Sequence, residues 1–157
     1  ALIPHDKTYA TVDVRIGDTD IEEISFSTNL ASSNGGATLV NGHDKLLLPG
    51  FVNGHTHSSQ IWQRGLIRQL PLELWLADVF DATATVSLEE YYLGALSTAV
   101  DTVLSGGTCV MDHVLLTPNL ELESVAAVAK AYQDLGIRAF IAPLIMDEPV
   151  VAGLPLG

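Results

Sequence analysis

The hydrophobic pattern changes character near residue 46. Before it, apolar and polar positions alternate. From Tyr9 to Ile16, Thr11, Asp13 and Arg15 interleave with Val12, Val14 and Ile16, the period of a half-buried strand. Gly17-Asp18-Thr19-Asp20 is a turn cluster. Ile21–Ser27 alternates again, with Ile24 and Phe26 on one side. Asn34-Gly35-Gly36 breaks the chain, Ala37–Asn41 reads as another short strand, and Gly42-His43-Asp44 turns. The first 45 residues thus predict a meander of short antiparallel strands.

From Leu46 the apolar positions run together. Leu46–Asn53 is nearly continuous, the pattern of a strand buried on both faces of a parallel sheet. Leu72–Phe80 predicts a short helix. Ser87-Leu88-Glu89-Glu90 is a capping box. It opens a helix with apolar positions at 88, 92, 93, 96, 100, 103 and 104, which Gly106-Gly107 stops. Thr108–Met111 predicts a buried strand ending at Asp112-His113. Thr117-Pro118-Asn119 starts a helix with apolar positions at 122, 125, 126, 129, 132 and 135, and Gly136 sits where a left-handed cap belongs. Ile137–Ala142 is a third buried strand, closed by Pro143. Strand and helix alternating across short loops predicts a parallel α/β sheet.

The ionisable residues gather at the strand ends. His55-Thr56-His57 follows the first apolar strand directly, and if that strand reaches so far, both imidazoles point to one face. Two imidazoles one step apart can hold one metal ion, although a His-x-His pair in a loop also arises by chance. Its place at the C-terminal end of a parallel strand, where α/β folds carry their sites, favours the metal. Asp112-His113 and Asp147-Glu148 end the next two strands. These are either site residues or strands surfacing into polar loops, and for Asp147-Glu148 the latter is preferred.

Composition narrows the partners. Seven basic against nineteen acidic residues give a net charge of −12, which disfavours nucleic acid and anionic membrane surfaces. Hydrophobic residues make up 48%, which excludes a disordered chain. No apolar run approaches the 18 or so residues of a membrane helix. The single cysteine, Cys109, cannot form an internal disulfide, in keeping with a cytoplasmic location, and reads as a small buried hydrophobe. The 157 residues fall short of the roughly 250 that a closed (β/α)₈ barrel needs. The start at Ala1 and the end on Leu154-Pro155-Leu156-Gly157 read as a piece cut from a longer chain.

Pro49-Gly50-Phe51-Val52-Asn53-Gly54-His55-Thr56-His57 resembles the first-strand motif of the amidohydrolase superfamily. Gln60, Arg64-Gly65 and Leu74-Trp75-Leu76, with the strand Gly106–His113, resemble its branch of triazine hydrolases and of guanine, 8-oxoguanine and adenosine-type deaminases. The resemblance covers the whole chain. It implies part of a small β-sandwich over residues 1–48, then about three strands of a TIM barrel over residues 49–157. It implies a divalent ion, zinc or else iron, held in part by His55 and His57. Hydroxide formed on that ion would attack a ring carbon of an aminated N-heterocycle, with an amine or chloride leaving. Gln60, Trp75 and His113 match substrate-binding positions, although Trp75 could equally be helix core. Trp62 and Arg64 would shape the loop, with Arg64 more simply a surface or ion-pair residue. A homo-oligomer is expected at full length. The family completes its site with residues on later strands, so this chain alone is expected to be catalytically silent, with no catalytic acid or base of its own. The alternative is a non-catalytic subunit that needs a complementary chain to complete the barrel.

Overall fold

A computed structural model describes residues 2–3, 8–26, 36, 38–82, 85–116 and 121–145. The turn Asn34-Gly35, the helix start Thr117–Asn119, the pair Asp147-Glu148 and the terminal Leu154–Gly157 lie outside the described residues. The chain divides into two compact units, Ala1–Pro49 and Gly50–Gly157.

In the first unit, β1 (Leu2–Ile3) pairs antiparallel with β2 (Thr8–Tyr9), and β3 (Asp13–Ile16) with β4 (Ile21–Ser25). The predicted turn joins β3 to β4, with Gly17 N–H donating to the Asp20 carbonyl at 2.9 Å. The strand expected at Ala37–Asn41 does not form: residues 38–41 are irregular. Among the described residues they have no paired neighbour, and an unpaired strand has no ladder to satisfy its backbone.

The second unit is a three-stranded parallel sheet in the order β5-β6-β7, formed by Phe51–Thr56, Gly107–Val114 and Arg138–Pro143. A 3₁₀ helix (Ser58–Gln63), α1 (Leu72–Ala82) and α2 (Leu88–Leu104) connect β5 to β6, and α3 (Leu122–Leu135) connects β6 to β7. This is the predicted alternation, with three corrections. The first strand begins at Phe51 rather than Leu46, and it is not buried on both faces: Phe51 and Val52 are more than 60% exposed. Among the described residues β5 pairs only with β6, so it is an edge strand. Second, the strand predicted to end at Asp112-His113 runs through both residues to Val114.

The third correction concerns α2. Its bulky apolar positions Leu88, Leu93, Val100, Val103 and Leu104 are exposed, whereas Tyr91, Gly94, Ala95, Thr98, Ala99 and Thr102 are buried. Small residues win this face because the helix approaches closely. A Cβ on Gly94 would lie 2.8 Å from the Ser58 carbonyl oxygen, and one on Gly107 would lie 2.9 Å from the Thr102 carbonyl oxygen. The core is built on that face: Tyr91, Ala95 and Ala99 meet Val110 and Val114 of β6 and Val128, Ala131 and Tyr132 of α3.

The helix ends follow the sequence. Gly136 caps α3 at φ 80°, and its N–H donates to the Tyr132 carbonyl at 3.0 Å. At α2 the capping box is complete. Glu90 N–H donates to Ser87 Oγ at 3.2 Å, and Ser87 N–H donates to Glu90 Oε2 at 2.8 Å. The Ser87 amide, then its hydroxyl, hold the Glu90 carboxyl below its ordinary range. A folded-state pKa below the unfolded one gives stability that is complete above the unfolded value and lost as pH falls through the folded one. Glu90→Gln, which removes the titrating carboxyl, is therefore expected to flatten the acid limb of a plot of Tm against pH. An unchanged slope would contradict the cap's role.

Candidate functional site

The site begins where β5 ends. His55 is on the strand, and His57 immediately precedes the 3₁₀ helix. His55 Nε2 and His57 Nε2 converge to 3.1 Å, with the rings edge-on at 85°. His57 Nδ1 lies 2.7 Å from the His113 carbonyl oxygen. A carbonyl only accepts, so Nδ1 is the donor in this contact, which leaves Nε2 as the nitrogen free to ligate. That is the tautomer of a metal-ligating histidine, whose second nitrogen donates to a carbonyl or carboxylate.

The spacing also fits. Two nitrogens each about 2.0–2.1 Å from one ion at a tetrahedral angle lie about 3.3 Å apart. Imidazole donors of this kind suit zinc and iron. Among the described residues no group of three or more His, Cys, Asp and Glu side chains could hold a metal, so the pair is a two-ligand set.

The other predicted residues divide into two groups. The His113 ring packs against that of His55, with centroids 4.5 Å apart and a 31° tilt, so the three imidazoles form one cluster. Gln60 and Trp75 instead join His57 around an open cavity of about 470 Å³, whose wall also includes Thr98, Asp101 and Thr102 of α2. Neither His55 nor His113 lines that cavity. Trp75 is half-buried in the first turn of α1. Trp62 does not face the cavity; its indole N–H donates to the Glu90 carbonyl at 3.2 Å. Arg64 pairs with Asp101 at 3.1 Å, both side chains largely exposed, and such surface pairs contribute little. Cys109 is buried within β6.

Beside the imidazoles lies a buried carboxylate. Asp112 is fully buried. Oδ1 accepts from the Ser58 N–H at 2.9 Å, and Oδ2 accepts from Ser58 Oγ at 2.5 Å and from the Tyr132 hydroxyl at 2.8 Å. Burial, with the Asp112 charge beside it, pushes the Tyr132 phenol well above its ordinary pKa, so it remains a donor. Ser58 and Tyr132 carry no signal in the sequence, because their partner lies 54 and 20 residues away. The one clue is an Asp inside the apolar run of β6.

Residues 46–153 match the profile of the amidohydrolase family. The chain belongs to that family. It is 33% identical over 137 residues to a 5'-deoxyadenosine deaminase of Methanothermobacter thermautotrophicus, covering 85% of this chain and 30% of the relative. It is 35% identical to a 5-methylthioadenosine/S-adenosylhomocysteine deaminase of Aquifex aeolicus, covering 87% of this chain and 30% of that one. Among solved structures it is similar to an atrazine chlorohydrolase from Arthrobacter aurescens TC1 complexed with zinc. There the TM-score is 0.69 at 21% identity, over 90% of this chain and 33% of the other. That likeness concerns the fold, which is the N-terminal part of the larger barrel chain. The chain spans 30% of the length of each of these two curated relatives.

Proposed function

We propose that this chain contributes the first two ligands, His55 and His57, to a divalent-metal centre in a longer hydrolase that deaminates a nitrogen heterocycle. The convergence of the two Nε2 atoms, with the His57 tautomer set by the His113 carbonyl, is the observation that carries this reading. The deaminase relatives support the reaction class, and zinc is preferred on the nitrogen donors. When bound, the ion lowers the pKa of water and so makes a nucleophile available near neutral pH.

The chain's own residues hold and orient. His55 and His57 fix the ion at the end of β5. Gln60 and Trp75 share the cavity wall with His57, where an indole face can stack on a flat heterocycle and an amide can hydrogen-bond its ring nitrogens. The His113 ring packs on His55 from the β6 side, outside that cavity, and would meet the part of a substrate that lies at the ion. Two ligands with no third metal-binding side chain among the described residues do not make a catalyst, so the 157-residue chain alone is expected to be silent.

The test is a panel assay on the zinc-loaded full-length protein: 5'-deoxyadenosine, 5-methylthioadenosine and a chlorinated aminotriazine, with ammonia and chloride both measured. Ammonia release from at least one is expected. Chloride release alone would move the reading to dechlorination, and no release of either would overturn it.

A further inference from the structure

We propose that Asp112 is a positioning residue for the histidine pair: by clamping Ser58, the residue after His57, it fixes the direction in which His57 presents Nε2. The inference rests on the metal-centre reading above.

A carboxylate fully removed from water is unfavourable unless its oxygens are satisfied. Asp112 receives three donors, and two come from one residue, the Ser58 amide and hydroxyl. Ser58 is itself buried. Its carbonyl lies against α2 at Gly94, where a Cβ would come within 2.8 Å, so it cannot shift toward that helix. The neighbouring residue of β6, His113, accepts the His57 Nδ1 proton through its carbonyl. Two consecutive residues of β6 therefore grip the two consecutive residues that follow β5, one by side chain and one by backbone.

The third donor comes from α3. The Tyr132 hydroxyl holds the oxygen that also takes the Ser58 hydroxyl, which locks the carboxylate's rotation. As simple glue between strands an apolar residue would serve as well. What it cannot do is hold an amide and a hydroxyl in fixed directions one residue from a metal ligand. Groups that orient ligands in this way tune metal affinity.

The test uses the full-length protein and three variants: Asp112→Asn, Tyr132→Phe and Ser58→Ala. Zinc affinity is measured by competition with a chelator. Ligand geometry is read from the visible spectrum of the cobalt-substituted protein, and folding from circular dichroism and a thermal melt. Asp112→Asn is expected to weaken zinc binding about 10–100-fold. Each of the other two, which delete a single hydroxyl, is expected to weaken it severalfold with an altered cobalt spectrum and a native fold. Zinc affinity within twofold of wild type and an unchanged spectrum in the folded variants would overturn the inference. Loss of the fold in all three would also overturn it, in favour of a purely structural role. If the wild-type protein binds no zinc, the metal-centre reading itself fails, and that is distinguishable because it does not depend on the variants.

Discussion

His57→Ala in the full-length protein is expected to abolish tightly held zinc and to lower turnover by about a thousandfold or more, since the nucleophile depends on the metal. The reason lies in how little else is available on this part of the chain. The two-histidine set has no third side chain to compensate among the described residues. Removing His57 leaves His55 as the single ligand, and the His113 carbonyl then has no ring to orient. His113→Ala is the informative comparison. The His113 carbonyl, not its ring, holds His57. That variant should keep its zinc and show its defect mainly in KM. Zinc content by elemental analysis and steady-state kinetics check both. A His57→Ala protein with near-normal zinc and turnover would contradict the assignment.

Tyr91→Ala is expected to cost about 3–5 kcal/mol, the range for deleting a buried aromatic ring. Tyr91 is 1% exposed and packs in the core with Val110 and Val114. Its hydroxyl donates to the Leu115 carbonyl at 3.3 Å. Native domains are stable by only about 5–15 kcal/mol, so a single change of this size removes a large fraction of a typical domain's stability. Tyr91→Phe, which removes only the hydrogen bond, should cost about 1 kcal/mol. Urea titration separates the two, with the midpoint moving and the slope unchanged. Equal costs for both variants would mean that the ring is not a core element.

How much of this was legible in the sequence differs by element. The helix caps were legible because their partners are local: Ser87 and Glu90 are three residues apart, and Gly136 acts through its own φ. The histidine pair was legible as two ligands close in sequence, although β5 ends at Thr56 and His57 lies one residue beyond the strand that was expected to align both rings. The family motif around it extended that reading to fold and chemistry, and the family match bears out the family.

The buried face of α2 was not legible. Periodicity weights large apolar residues, whereas contact at Gly94 and Ala95 is set by how closely two backbones approach, which favours small ones. The extent of β5 was misread because apolar character does not distinguish a central strand from an edge strand. The Asp112 cradle was also hidden. An Asp near a strand end reads as a polar loop until Ser58 and Tyr132 are brought to it from elsewhere in the chain.

The central claim is that His55 and His57 jointly hold a divalent ion. The crystal structure of the zinc-loaded full-length protein, with anomalous scattering recorded at the zinc edge, tests it most directly. An anomalous peak is expected about 2.0–2.1 Å from both His55 Nε2 and His57 Nε2. A zinc ion bound elsewhere, with these two nitrogens unligated, would contradict it.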